Sequence, residues 1–149
     1  MGTLTLPASG IVYADANSVI YSVDRHPTYA PVSDPLWQAV QVGTLTVVSS
    51  ELTLLETLVG PLKNGDTLLA ARREHIWTWA NASLLPITET ILREAAQLRA
   101  TIPSLKTPDA IHAATALYRG CVLFVSNDKG FKHVPGLPLV LLDEVLAAP

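Results

Sequence analysis

Short apolar runs alternate along the chain with segments in which apolar residues recur at helical spacing. We expect strands in five apolar runs, the third of them weak: residues 11–15, 45–50, 83–88, 121–128 and 137–142. We expect helices between them, at residues 16–25, 35–43, 51–60, 65–80, 89–100 and 108–119. The strands are apolar on both faces, as in a parallel sheet covered on both sides. The predicted fold is therefore a three-layer α/β architecture.

Proline, glycine and hydroxyl residues mark the predicted boundaries of these helices. Thr107 has the side chain of a helix N-cap, Pro108 fits the first turn, and Gly120 closes the same helix. The Gly-Pro pair at residues 60–61 is expected to stop an earlier helix. The proline-rich stretch at residues 27–35 predicts a loop within one domain.

The composition is that of a dense globular chain. Its 149 residues are 49% hydrophobic and 15% charged, and no polar linker divides them, so we expect a single domain over residues 1–149. Cys121 is the single cysteine, which excludes an intrachain disulfide, and its apolar neighbours indicate a buried thiol. The first residues lack the basic start of a signal peptide, and the apolar runs are too short to span a membrane. The expected location is the cytoplasm.

Four acidic residues stand at unusual places. Asp15 ends the first strand, Asp128 ends the fourth, Asp109 opens a helix, and Glu56 lies in an apolar helix. Each has a structural alternative. Asp15, like Asn17 near it, could cap a helix, and Asp128 could form a turn. Asp109 could lie in the first turn of its helix because the helix dipole favours an acid there. The apolar residues around Glu56 predict a helix that is buried on most sides. Glu56 could then be a buried hydrogen-bonded partner, a side chain at a groove edge, or a metal ligand.

Considered together, the four acids favour a common site over four separate structural roles, because all of them map to one edge of the predicted sheet. Carboxylates crowded there would repel by roughly 4 kcal/mol per pair at 4 Å. A divalent cation removes that penalty, and oxygen ligands suit Mg²⁺ or Mn²⁺ in phosphodiester hydrolysis. The net charge of −3 first argues against nucleic acid, but without these four acids nine acidic residues remain beside ten basic ones.

Several other polar residues could support such a site. Thr53 precedes Glu56 by three positions and shares its helix face, and Lys106 is a candidate for touching a substrate. The four histidines show no paired zinc spacing. His112 follows Asp109 by three positions and could face it, with a packing or orienting role favoured over general base.

Four stretches, VYADANSVIY, SSELTLLETLVGPL, LKTPDAIHAATAL and VSNDKGF, occur in an order that resembles the PIN-domain ribonucleases. The likeness is strongest to the VapC toxins of bacterial and archaeal toxin–antitoxin pairs. The matches run from residue 11 to about residue 142, nearly the whole chain. One such stretch alone is weak evidence, whereas four in order, each on the expected element, are specific.

The resemblance implies a PIN-like α/β/α fold with a parallel sheet of four or five strands. It implies that an acidic cluster binds Mg²⁺ or Mn²⁺, with these members: Asp15, Glu56, Asp109 and Asp128. Asp15 and Asp109 would be the most direct ligands, and Asn17 and Ser126 would orient the carboxylates. Metal-held water would attack an RNA phosphodiester without a covalent enzyme intermediate. A small antitoxin would cover the site, and dimerisation would be common.

Three other functions compete with this hypothesis. A PIN fold could bind RNA or protein without cleaving, or it could be an RNA-processing nuclease outside toxin–antitoxin pairs. A phosphotransfer α/β protein is a weaker alternative, because the chain lacks a glycine-rich phosphate loop and a second Asp two residues after Asp15.

Overall fold

The apolar runs form five strands and the segments between them form helices, in a computed structural model that describes residues 2–149. The strands are β1 Ile11–Ala14, β2 Thr46–Ser50, β3 Ala82–Leu85, β4 Leu123–Ser126 and β5 Leu139–Leu141. The α-helices are α1 Ala16–Val23, α2 Tyr29–Gln41, α3 Leu52–Lys63, α4 Thr67–His75, α5 Glu89–Thr101, α6 Thr107–Arg119 and α7 Leu142–Ala147. Two 3₁₀ turns, Ile76–Thr78 and Lys129–His133, follow α4 and β4.

All five strands pair in parallel, in the order β3-β2-β1-β4-β5. Strand β1 lies at the centre, with Tyr13 opposite Val48 of β2 on one side and Phe124 of β4 on the other. The chain winds outward from β1 through β2 and β3, and then returns to place β4 against the other edge of β1. Open α/β sheets bind ligands at the carboxyl ends of the strands beside such a reversal.

Alternate residues of the central strand enter two separate apolar cores, as a parallel sheet covered on both faces requires. Val12 and Ala14 pack in one core with residues of α1, α2 and α7. Tyr13 packs in the other core with residues of α5 and α6. The predicted three-layer α/β/α class, with five parallel strands, is confirmed.

Helix α3 does not stop at the Gly-Pro pair, so that predicted boundary is wrong. Pro61 has no N–H to donate to the carbonyl of Thr57 one turn earlier. Nη1 of Arg73 donates to that carbonyl instead, at 2.9 Å, and Nη2 of Arg73 is 2.6 Å from Oδ2 of Asp24. A side chain from α4 thereby lets α3 continue to Lys63.

The proline-rich stretch is not a loop throughout, because α2 begins at Tyr29. Pro31 lies in the first turn, where backbone N–H groups have no helical acceptor and proline costs little. Pro35 lies inside the helix, where propensity alone disfavours it. Tertiary burial of Leu36 and Trp37 on the same helix outweighs that preference.

The start of α6 differs by one residue from the prediction, and its end agrees. Lys106 occupies the N-cap position, and Thr107 is the first helical residue. The Thr107 hydroxyl accepts a hydrogen bond from Nη1 of Arg99 at 2.8 Å instead of capping the helix. Gly120 ends the helix in the left-handed region, at φ 72°.

The short helix α7 had no counterpart in the sequence prediction. Within the described residues, none of the helices combines the length and apolar character that crossing a membrane requires.

Candidate functional site

A cavity of about 330 Å³ opens beside the carboxyl ends of β1 and β4. Its lining consists of Asp15, Ala16, Asn17, Leu55, Glu56, Val59, Asp109, His112 and Asp128. We call it the acidic cavity. All four acids that the sequence singled out lie in this lining, although up to 113 residues separate them along the chain.

Asp15 is the most buried of these acids, with 6% of its surface exposed. Its Oδ1 accepts a hydrogen bond from the backbone N–H of Ser18 at 3.0 Å, and so caps α1. Its Oδ2 accepts from the hydroxyl of Ser126 at 2.5 Å. Burial raises the pKa of Asp15, and the hydrogen bonds from Ser126 and Ser18 oppose that rise. Asp15 is thus a helix cap and a cavity acid at once.

Asp109 projects from the first turn of α6 and is half-buried. Among residues 2–149, no backbone or side-chain donor makes a hydrogen bond to its carboxylate. Burial raises the pKa of Asp109, and the negative charge of Asp128 raises it further, with Glu56 and Asp15 adding less. The charges of the other three acids therefore disfavour ionisation of Asp109.

Asp128 follows β4 and starts the second 3₁₀ turn. Its Oδ1 accepts from the N–H of Gly130 at 2.8 Å, and its own N–H donates to the Ser126 hydroxyl at 3.0 Å. Because Ser126 also donates to Asp15, a single hydroxyl joins two acids of the cavity. These are the contacts through which Ser126 would orient the carboxylates, and that role stays a prediction.

Glu56 lies at the cavity edge, where its Oε1 is 2.5 Å from Nε2 of His112. Glu56 is therefore both a hydrogen-bonded partner and a side chain at a groove edge, which were two of its three predicted alternatives. Helix α3 was expected to be buried on most sides, and this is wrong. Leu55 and Val59 are 64% and 58% exposed, so the apolar residues flanking Glu56 face outward.

His112 is buried, with 2% exposure, and its other ring nitrogen contacts a tyrosine. Nδ1 is 2.6 Å from the hydroxyl of Tyr13, which accepts a hydrogen bond from the N–H of Ser50 at 3.0 Å. Burial raises the pKa of Tyr13 well above its ordinary value. Tyr13 was missed from sequence, although a tyrosine two residues before Asp15, in a strand of otherwise apolar residues, is a usable indication.

The remaining predicted residues divide between those inside and those outside the cavity. Asn17 lies in the lining and is exposed. Thr53 is fully buried, with its hydroxyl 2.6 Å from that of Ser49, and it does not line the cavity. Lys106 is exposed before α6 and is also absent from the lining.

The residues of the acidic cavity fit a hard divalent cation by donor type, since four carboxylates supply oxygen atoms. Within residues 2–149, no three His, Cys, Asp or Glu side chains converge closely enough to hold an ion by themselves. Mg²⁺ needs no such enclosure, because it keeps several waters and binds through one or two carboxylates plus substrate phosphate.

A larger cavity of about 700 Å³ lies between α1, α2 and α4, and its chemistry is different. Trp37 and Trp79 line it, and their rings meet edge to face at 6.3 Å. Its carboxylate, Asp34, is paired with Arg25 at 2.7 Å. Because this cavity is largely apolar and its one acid is paired with an arginine, it is a poor site for hydrolysis. The larger of the two cavities is therefore not the better candidate for a reactive site.

Comparison with known proteins gives a family and a set of similar folds. The family model of the PIN domain matches residues 12–137. The fold is similar to that of VapBC2 from Rickettsia felis bound to promoter DNA, with TM-score 0.70 and 18% identity over 88% of this chain and 98% of that one. No curated protein matches the chain in sequence.

Two further solved structures share the fold. VapC20 from Mycobacterium tuberculosis, a toxin that cleaves the sarcin-ricin loop, has TM-score 0.69 and 14% identity over 83% of this chain and 95% of that one. A toxin–antitoxin complex from Klebsiella pneumoniae has TM-score 0.62 and 21% identity over 88% of this chain and 97% of that one.

Proposed function

The chain belongs to the PIN-domain family, and on that basis we propose that it is a metal-dependent endoribonuclease and the toxin of a toxin–antitoxin pair. One observation carries the proposal. Four carboxylates from four separate elements line one cavity beside β1 and β4, where the strand order reverses.

Asp15, Glu56, Asp109 and Asp128 would hold Mg²⁺ or Mn²⁺, with Asp15 and Asp109 as the most direct ligands. When bound, the cation supplies neutralisation of these charges, polarisation of a phosphate oxygen and a lowered pKa for water. The unpartnered carboxylate of Asp109 supports this assignment. Its raised pKa reflects burial and like charges, a cost that an anionic cluster without a cation would have to sustain.

The chain's own residues would orient these carboxylates and admit the phosphodiester. The N–H of Ser18 and the hydroxyl of Ser126 fix both oxygens of Asp15. Within the described residues, the lining of the acidic cavity contains no Ser, Thr or Cys side chain. We therefore assign the attack to water, which gives hydrolysis without a covalent enzyme intermediate.

The surface beside the cavity suits a protein partner, which we propose to be a small antitoxin. Leu55, Val59 and Leu62 lie on one face of α3 and are 64%, 58% and 60% exposed. Contiguous exposed apolar patches on a protein surface mark sites of interaction with a partner. Solved structures of similar fold include a toxin–antitoxin complex from Klebsiella pneumoniae and a member of a toxin–antitoxin family from Mycobacterium tuberculosis, which favours an antitoxin over other partners and a hetero-oligomer over a free chain.

The test is RNA cleavage by the full chain, purified free of any partner, with Mg²⁺ or Mn²⁺ and with EDTA. Asp15→Asn and Asp109→Asn are expected to lose more than about 100-fold in rate, since even residues that only support metal ligands cost 10–100-fold. Asp34→Asn, an acid outside the acidic cavity, is the matched control. Cleavage that persists in EDTA, or that is unchanged in both cavity variants, contradicts the proposal. A wild type that binds Mn²⁺ but leaves RNA intact points to a binding module.

A further inference from the structure

A row of hydrogen bonds runs behind the acidic cavity, from the backbone of β2 to the carboxylate of Glu56. The N–H of Ser50 donates to the Tyr13 hydroxyl at 3.0 Å. That hydroxyl is 2.6 Å from Nδ1 of His112, and Nε2 of His112 is 2.5 Å from Oε1 of Glu56. Tyr13 and His112 are 0% and 2% exposed, so water does not compete for these bonds.

We propose that His112 is a positioning residue, held in place by Tyr13, which donates from Nε2 to one oxygen of Glu56 and leaves the other oxygen for the acidic cavity. This inference rests on the proposed function, since it assigns a role toward the reaction of the same site.

The direction of the protons follows from the donors that are present. A phenol has one O–H, and the oxygen of Tyr13 already accepts from Ser50. The Ser49 hydroxyl also faces the Tyr13 oxygen, but it is already paired with the hydroxyl of Thr53 at 2.6 Å. The Tyr13 proton is therefore available for Nδ1 of His112, the acceptor at 2.6 Å. In a neutral imidazole, an accepting Nδ1 places the ring proton on Nε2. Nε2 then donates to the Glu56 carboxylate, and such a charge-assisted bond is short.

The bond to His112 gives Glu56 a defined orientation that its own helix does not supply. The neighbours of Glu56 on α3, Leu55 and Val59, are exposed and provide no polar contact. Among residues 2–149, Oε2 of Glu56 has no hydrogen-bond donor. With Oε1 held from behind, Oε2 is the oxygen that remains for a cation or a water molecule.

The same arrangement excludes two other roles for His112. One ring nitrogen accepts from Tyr13 and the other donates to Glu56, so neither has a free lone pair. His112 therefore serves neither as a metal ligand nor as a general base, although its ring lies in the lining of the acidic cavity.

The first measurement needs neither activity nor a variant. Long-range ¹H–¹⁵N spectra of the metal-free, ¹⁵N-labelled full chain report the tautomer of each histidine, and the signal missing from His112→Gln assigns His112. We expect the Nε2–H tautomer, and we expect Tyr13→Phe to give a mixture of tautomers. A wild-type ring protonated on Nδ1 alone, with no proton on Nε2 to donate to Glu56, overturns the inference.

The second measurement compares substitutions at His112 by calorimetric titration with Mn²⁺ alone and by RNA cleavage. His112→Leu removes the donor and is expected to lose about 10–100-fold in Mn²⁺ affinity or cleavage rate. His112→Gln keeps an amide N–H within reach of Glu56 and should recover part of that loss. A role in packing alone predicts the opposite order, because Leu fills an apolar core better than Gln. His75→Leu, at an exposed histidine of α4, is the matched control.

The outcomes separate the two proposals. RNA cleavage and Mn²⁺ binding by His112→Leu at wild-type levels overturn the positioning role while the nuclease proposal stands. A wild type that cleaves no RNA overturns the nuclease proposal, and the tautomer and the Mn²⁺ affinities then decide on His112.

Discussion

The Ser126 hydroxyl and the Asp15 carboxylate, 2.5 Å apart, connect the carboxyl ends of β4 and β1. The same hydroxyl accepts from the N–H of Asp128 at 3.0 Å. One small side chain thereby sets the relative position of two acids that lie 113 residues apart in the chain.

Ser126→Ala is expected to lower the RNA cleavage rate by about 10–100-fold while all four carboxylates remain. The hydrogen bond from Ser126 favours the ionised form of Asp15, so its loss leaves the effect of burial, which raises the pKa, less opposed. The acid limb of the pH–rate profile should therefore move to higher pH. Cleavage rates across pH measure both effects, with Ser83→Ala on the exposed side of β3 as the control. An unshifted profile would contradict the link between Ser126 and Asp15.

Asp15→Asn is expected to stabilise the metal-free chain at pH 7, by about 0.5–2 kcal/mol in the free energy of unfolding. Burial raises the pKa of Asp15, so the folded state binds its proton more tightly than the unfolded state does. The free energy of unfolding of the wild type should therefore fall as pH rises from the ordinary pKa of a carboxyl group through the raised pKa of Asp15 in the folded state. Asp15→Asn has no such group, so its free energy of unfolding should lack this contribution to the pH dependence. Urea unfolding in EDTA between about pH 4 and pH 8 measures the difference.

Asp34→Asn provides a control of opposite sign for that experiment. The hydrogen bond from Arg25 lowers the pKa of Asp34, so the stability that its ionised carboxylate contributes is present above the ordinary value and lost as pH falls. Asp34→Asn should therefore remove a small stabilising contribution at pH 7. Destabilisation by Asp15→Asn as well would show that burial does not dominate at Asp15.

Arg73→Met is expected to lower the free energy of unfolding by about 2 kcal/mol, since hydrogen bonds to charged groups are worth 1.5–3 kcal/mol. The substitution leaves the Thr57 carbonyl, already without its helical donor because of Pro61, unsatisfied, and it leaves Asp24 unpaired. Arg72→Met, at the exposed neighbouring position, should change stability by less than about 0.5 kcal/mol. Equal effects in urea unfolding would show that Arg73 does not support α3.

Cys121 is expected to react slowly with thiol reagents in the folded chain. Burial raises the pKa of its thiol to about 11, so very little thiolate exists at neutral pH. Ellman's reagent should modify the folded protein far more slowly than the same protein in urea. Rapid reaction of the folded chain at pH 7 would show that the thiol is accessible and ionised.

Strands and acids could be predicted because their evidence is local in the sequence. Parallel strands buried on both faces are short apolar runs; Asp15 follows β1 directly, and Asp128 follows β4 after one residue. The end of α6 could also be predicted from local sequence. Gly120 adopts the left-handed conformation that glycine favours at the end of a helix.

Other features depend on residues far apart and could not be predicted. Tyr13 and His112 are 99 positions apart, and nothing in either neighbourhood indicates that their polar atoms meet. The passage of α3 through Pro61 depends on an arginine from the next helix. Glu56 was selected because its helix was expected to be buried, whereas it is held by His112 beside exposed leucine and valine side chains.

The placement of β4 against the central strand β1 has a consequence for synthesis on the ribosome. A nascent chain that has emerged only through α6 carries Asp15, Glu56 and Asp109 but lacks β4, Ser126 and Asp128. In that nascent chain β1 can pair only with β2, and the Ser126 hydroxyl that donates to Oδ2 of Asp15 is missing. Contacts between distant residues form late because closing the intervening loop costs entropy. If the chain is a ribonuclease, the codons for β4 and Asp128 are therefore read before a molecule able to cut RNA exists.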